Sequence, residues 1–531
     1  MSTPFPRRTA LRSAAAAVVG VATAGAMASC SRSGSNSAKA SGADSATDDE
    51  GRLRRHQVTP GAATSADAVD PRGHGGDAAA TLAASRALLA AASIVVVSSG
   101  GKRDLAAASA AARGLGSPLL VFGPDVAPEL DRLGTRTVVR WSGDAGTAPP
   151  SAGTTPSPVP TTFGEREVVD TTDAGDLTDL PGLPLTPPRN RGTVLVRRGT
   201  SVPASIEATL AAVGATRVAV AGTDPRTTKE ARAVLRSATD TAVLAVGAGF
   251  GPAQRFARRV RTARHAAELP GGGLLPFPDR LMVALYGHPQ TASLGMLGEQ
   301  PAADAVTRVR TLADEYQQLT RETVVPAFEL IATVAAGSAQ QDGSYSRRTP
   351  VSVLLPWVEA AEQADTYVVL DLQPGRDDFL TQAKAYEELL RRPWVGLALD
   401  PEWRLQPGEK PLRQIGHVDI DEVNAVGAWL AGLVREHDLP PKVLTLHQFS
   451  RAMVRHRERL DTSLDEVQWL VHADGQGGQN DKQGTWSALK RDLPQGVWLG
   501  WKNFTDEDSP MLTPEQTIAQ VHPTPQFVSY Q

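Results

Sequence analysis

The sequence predicts an α/β protein: an open, parallel, Rossmann-like α/β domain followed by a (β/α)8 barrel. Three observations predict it. From about residue 77 to 262, short aliphatic runs alternate with Ala-rich helical segments, the pattern of a parallel sheet covered on both faces. From 277 to 531 the alternation passes through eight strand-like runs, in the roughly 250 residues such a barrel occupies. Polar residues gather at the C-terminal ends of those runs, where a barrel of this kind builds its site.

The elements follow in order. In the first domain the expected strands lie at 94–97, 118–122, 137–139, 194–196, 218–220 and 243–246, with helices at 105–113, 128–133, 204–213 and 228–237. In the second they lie at 281–286, 327–334, 367–372, 395–399, 443–446, 467–471, 497–501 and 526–530. Helices are expected between them, at 302–316, 378–390 and 420–436. A Pro/Ser/Thr-rich stretch at 147–162 reads as a low-complexity insert in the first domain.

The first 30 residues read as an address. Arg7 and Arg8 precede an apolar run at 14–26, and Ala28 and Ser29 stand directly before Cys30. A charged start, a short apolar stretch and small residues at a cleavage point make an export signal. The run is too short for a bilayer core of about 30 Å. Ala28-Ser29-Cys30 resembles a bacterial lipobox, and Arg7 to Arg12 resembles a twin-arginine signal. The resemblance implies acyl chains on Cys30 and a membrane partner reached through them, at the outer face of the cell membrane. Cys30 is the chain's one cysteine, so no internal disulfide competes for it. Residues 31–76 are Ser, Ala, Gly, Asp and Arg with few large apolar side chains, and read as a flexible tether.

Composition narrows the function classes. The 531 residues carry a net charge of -4, against the basic face of a nucleic-acid binder. Abundant Ala, Arg and Gly suit a GC-rich genome of actinobacterial type. The segment ASIVVVSSGGKRDLAAASAAARGLGSPLLVFG, followed by LGTRTVVRW, resembles the bacterial cell-wall-binding repeat of the second type. Asp104, Gly116, Pro118, Gly123, Leu133 and Gly134 match its pattern, and VGATRVAVAGTDPRTTKEARAVL is similar to a weaker second copy. The resemblance implies a wall-polymer partner. Ser98 to Lys102 stands where a phosphate cradle would, between strand and helix, but lacks both phosphate-loop spacings and reads as a turn.

The expected barrel mouth collects Tyr286, His288, Asp371, Asp400, Glu402, His447, His472, Asp474, Trp501 and Lys502, with Glu329 inside the second run and Tyr530 closing the last. Asp400 and Glu402 are two apart, so an extended strand would turn both to one side. Paired carboxylates are the machinery of glycoside hydrolysis, and Asp-x-Glu at a fourth strand end is similar to muramidase-type and chitinase-like barrels. Two motif positions of such barrels carry Ala398 and Trp501-Lys502 here. Asp400, Glu402 and Asp371 are therefore the catalytic candidates. Tyr286, His288, His472, Asp474, Trp403, Trp501 and Lys502 are the substrate-binding candidates, the tryptophans as platforms for a sugar face. The expected function is binding or hydrolysis of a cell-envelope polysaccharide. A competing reading is an envelope protein that binds a ligand without turning it over. A third is a metal-dependent hydrolase using His288, His447 and His472. No HxH or HExxH spacing supports a metal, so none is assigned, nor any cofactor.

Overall fold

The computed structural model describes residues 56–70, 73, 75–142, 159–177 and 191–531. The export signal with Cys30, residues 31–55 of the expected tether and residues 143–158 around the insert lie outside the described residues.

The N-terminal strands are Ala66–Val69 (β1), Ile94–Ser98 (β2), Leu119–Val121 (β3), Thr137–Trp141 (β4), Glu167–Thr171 (β5), Gly192–Arg197 (β6), Thr216–Val220 (β7) and Ala242–Val246 (β8). They form an open parallel α/β region, as the alternation predicts, but in two four-stranded sheets. One runs β3-β2-β4-β5 and the other β1-β8-β6-β7. The helix Gly76–Leu88 (α1) joins them. Its Ala80, Ala84 and Leu88 share one core with Val95 and Leu120 of the first sheet and Val194 and Leu244 of the second. Small alanines let the helix lie close to both.

Two segments depart from expectation. The stretch read as tether contains β1, parallel to β8, and Val58–Pro60, antiparallel to Leu89–Ala92. β1 reads Ala-Asp-Ala-Val, with no aliphatic run to announce it, and it takes the edge that β8 would otherwise leave unpaired. β5 likewise has only two aliphatic residues. The Ser98 to Lys102 segment is a three-residue link from β2 to the helix Lys102–Leu115. The Gly100 N–H donates to Ser98 Oγ at 3.3 Å, and a Cβ on Gly101 would lie 2.9 Å from the Asp104 carboxylate. That negative charge opposes an anion there.

All eight expected barrel strands form: Arg280–Gly287 (β9), Thr323–Ala335 (β10), Tyr367–Leu372 (β11), Val395–Leu399 (β12), Lys442–Gln448 (β13), Val467–Ala473 (β14), Trp498–Asn503 (β15) and Phe527–Tyr530 (β16). Each pairs in parallel with its neighbours, and β9 closes the barrel by pairing with both β10 and β16. Alternate residues face inward and outward. Outward Leu285, Phe328, Leu370, Leu397 and Val471 meet the helix layer in one large core. Inward residues near the strand starts are apolar: Met282, Ala284, Val325, Ala327, Val369, Ala398, Val443, Leu470 and Phe527. One step further along the same strands the inward positions turn polar. That change of chemistry marks the site end of the barrel.

The opposite end is sealed. Phe277 is fully buried and exchanges two hydrogen bonds with the Gln468 amide, at 2.7 and 2.9 Å. Asp465, just before β14, receives Arg255 and Arg259 from the helix Ala253–His265 (α2), each through two hydrogen bonds of 2.7–3.0 Å. The α/β region thus docks on the face where the barrel strands begin. Among the described residues no helix is long and apolar enough to cross a membrane.

Candidate metal centre at the barrel mouth

Glu329 of β10 stands beside Tyr286 of β9 in register, and His447 of β13 beside His472 of β14. The alternation that buries Val325 and Ala327 inside the barrel carries Glu329 in with them. All three of Glu329, His447 and His472 are fully buried. One ligating atom from each falls within 4.8 Å of the others. His447 Nε2 lies 2.9 Å from Glu329 Oε1, and His472 Nδ1 lies 3.6 Å from the same oxygen.

The far side of each ring is held. His447 Nδ1 lies 3.1 Å from Asp474 Oδ2, and His472 Nε2 lies 3.2 Å from the Ser529 hydroxyl. Such outer partners fix ring orientation and tautomer in metal sites. They leave Nε2 of one ring and Nδ1 of the other turned toward Glu329. A buried His/His/Glu cluster able to coordinate a metal therefore sits near the C-terminal ends of the barrel strands. Two imidazoles and one carboxylate form a three-ligand set of the kind catalytic zinc uses.

Around this cluster stand more charges. The Tyr286 hydroxyl donates to Asp371 Oδ2 at 2.9 Å, and Asp371 Oδ1 lies 3.9 Å from His447 Nε2. The Lys502 ammonium sits 3.1 Å from Asp474 Oδ1 and 3.4 Å above the centre of the Tyr286 ring. Asp400 ends β12 and is buried. Four buried carboxylates, Glu329, Asp371, Asp400 and Asp474, thus share the mouth with two imidazoles and the Lys502 ammonium, with buried Lys482 beyond Asp474. Burial of an unpaired charge costs several kcal/mol, so the excess must be neutralised by protons or by a cation.

The protonation tendencies follow. Burial pushes the Asp400 carboxyl well above the usual range, and neighbouring Asp371 adds to it. Burial also pushes Asp371 up, to about 6, although His447 works against it. For Glu329 burial again pushes upward, but the two histidines outweigh it and hold the group low. Burial alone would lower His447, yet Glu329 and Asp371 raise it well above its ordinary value. His472 is lowered by burial.

Four carboxylate and imidazole atoms of this group are buried without a hydrogen-bond partner, Glu329 Oε2, Asp371 Oδ1, Asp400 Oδ2 and His472 Nδ1, as is the Lys502 ammonium apart from its ion pair with Asp474. Buried polar atoms are nearly always satisfied, so four orphans in one place mark a spot built for something else.

The expected site residues divide. Tyr286, Asp371, Asp474, His472 and Lys502 come together with Glu329 and His447. Asp400 joins them, but Glu402 does not follow along an extended strand. Pro401 breaks the ladder, and Pro401–Trp403 forms a short 3-10 turn in which the Glu402 N–H donates to Asp400 Oδ1 at 3.2 Å. Arg404 pairs with Glu422 rather than with either acid. His288 does not complete a three-histidine set. Its Nε2 lies 3.0 Å from the Thr349 hydroxyl, and its Nδ1 accepts from the Gln290 N–H at 3.2 Å. The third ligating position belongs to Glu329. Neither tryptophan offers an open platform for a sugar. Trp403 is buried in its turn, and Trp501 alternates outward to pack on Trp486 while its Nε1 donates to Asn503. Tyr530 also points outward, its hydroxyl 2.7 Å from that of Tyr316.

No family model matches the chain, and no curated protein matches it. The closed eight-stranded parallel barrel is the TIM-barrel fold, which hosts glycosidases among many other activities, so the site rather than the fold must argue the chemistry.

Proposed function

We propose that this protein is a metal-dependent hydrolase of the cell envelope, held at the outer membrane face through Cys30, with Glu329, His447 and His472 as the metal ligands. The observation that carries the reading is the set of orphaned polar atoms gathered around buried Glu329, His447 and His472, whose ligating atoms lie within 4.8 Å of one another. A divalent cation bound there would act as a Lewis acid toward a substrate oxygen. The chain's own groups supply the rest. Asp474 and Ser529 hold the two rings in their tautomers. Asp400, kept protonated by burial, is the proton donor to a leaving group. Lys502, resting on the Tyr286 ring, carries positive charge into the mouth, where a developing negative charge would be met. The substrate class follows the sequence expectation, a polysaccharide of the envelope, with the repeat-like α/β region as the wall-facing module.

A second reading keeps the substrate and dispenses with the metal: Asp400 as acid with Asp371, rather than Glu402, as its partner. The raised carboxyls of this pair support it. Hydrolysis of peptidoglycan and envelope glycans by the full chain, with and without chelator, separates the two. Abolition by chelator and restoration by zinc are expected, with Glu329→Gln inactive under both conditions. Unchanged turnover in chelator would leave the carboxylate reading and remove the metal.

A further inference from the structure

Large aliphatic side chains are normally drawn into a core, because burying one is worth about 1.5–3 kcal/mol. Among the described residues only two large hydrophobics stand exposed, Leu412 at 46% and Ile415 at 50%. They share one loop, the connection from Asp400 to the helix Ile420–Glu436 (α3), which follows β12 and so lies on the mouth side of the barrel.

The loop is strapped at its base. The Leu405 N–H donates to Gly375 O at 2.7 Å, the Gly416 N–H to Glu402 O at 2.7 Å and the His417 N–H to Arg404 O at 3.0 Å. The Arg376 guanidinium donates twice to Glu409 O. Gly416 is pressed so closely against three carbonyl oxygens that a Cβ would approach them within 2.6 Å. Above this base the tip is held in an uncommon shape. Leu412 has φ 64, a left-handed conformation that a leucine seldom adopts. A strained backbone that displays an aliphatic side chain to water runs against folding stability, and such outliers gather at functional positions.

The tip is also basic. Lys410 and Arg413 are exposed, and neither enters an ion pair among the described residues. Glu409, the acid next to Lys410 in sequence, accepts the Gln406 N–H at 2.7 Å. Two aliphatics and two free cations on one rigid tip match a surface that is apolar beneath and anionic above. The geometry points to an anionic lipid surface as the partner of this tip, Leu412 and Ile415 entering the acyl boundary while Lys410 and Arg413 meet the headgroups. The contact turns the barrel mouth toward the membrane. It does not depend on the metal reading, since nothing in the tip touches Glu329, His447 or His472.

The experiment uses the full chain with Cys30→Ser, so that no acyl chain contributes, sedimented with phosphatidylcholine vesicles with and without phosphatidylglycerol. Binding should require phosphatidylglycerol and weaken with salt. Leu412→Ser with Ile415→Ser should lower the partition coefficient about tenfold or more, with no loss of Tm, because both side chains are exposed. Lys410→Gln with Arg413→Gln should remove the preference for phosphatidylglycerol. Equal sedimentation of parent and tip variants would overturn the proposal. So would a concentration-dependent dimer of the parent that the tip variants abolish, since the occupant would then be a second copy.

Discussion

Two fully buried lysines, Lys502 and Lys442, stand toward opposite ends of the barrel in different surroundings. Lys502 near the mouth lies beside a carboxylate, Asp474, and over the aromatic face of Tyr286. Lys442 opens β13 at the sealed end and donates to two carbonyls, those of Arg392 and Val395, at 2.7 Å each. An uncharged amine has two N–H groups to give them, and burial depresses Lys442 to about 7. Between that value and the ordinary lysine value of about 10.4, the unfolded chain binds a proton that the folded chain does not. Stability therefore rises with pH across this window, and below it the full cost of the buried ammonium is present. Urea unfolding of Lys442→Met over the same pH range is expected to show this rise removed; a slope identical to the parent's would refute the assignment. At the mouth, Asp400→Asn is expected to cost about 10²–10⁴-fold in kcat, the range for a lost general acid. Its Tm should be unchanged, because Asp400 Oδ2 has no hydrogen-bond partner to lose and the protonated acid that the amide replaces is likewise uncharged. Parallel loss of Tm and turnover would instead make Asp400 a structural residue.

At the scale of elements, the arginine helix α2 joins the two halves of the molecule. Asp465 is only 6% exposed in its side chain and collects Arg255, Arg259 and, more distantly, Arg226. Breaking a buried pair from one side leaves uncompensated charge, so Asp465→Ala should destabilise the chain by about 3 kcal/mol. Denaturant unfolding followed at the barrel and α/β tryptophans would measure it, and a cost near zero would contradict the latch. The legibility of elements tracked their aliphatic content. All eight barrel strands carry continuous apolar stretches on both faces, so their places could be read directly. β1 and β5 are short and mostly polar or alanine, and only the neighbouring strand makes each of them a strand. The site was legible where polar residues end a run, as with Asp371, Asp400, His472 and Asp474. Glu329 was harder because it lies inside a 13-residue strand. Its signal was there all the same: a lone carboxylate on the inward phase set by Val325 and Ala327. The same phase, counted along β15, turns Lys502 inward and Trp501 out. The path to Glu402 was less legible, because Pro401 ends the two-residue alternation at Asp400 and starts a 3-10 turn, although Glu402 still acts on Asp400.

For the whole molecule, the α/β region covers the end of the barrel where strands begin, and the charged cluster occupies the other. A ligand must reach the cluster through the loops that follow the strands, including the one that starts at Asp400 and carries the exposed tip. Every ligating group is buried, so substrate, water and chelator would all reach a cation held there by the same path through the loops. Metal-dependent hydrolysis at this mouth requires that cation to be bound. Metal analysis by mass spectrometry of the full chain, purified without added metal or chelator, is the direct measurement. About one equivalent of zinc or a similar divalent ion is expected in the parent chain and none in a folded Glu329→Gln, His447→Gln double variant. A parent chain that folds fully with no stoichiometric metal, and takes up none when zinc is supplied, would contradict it.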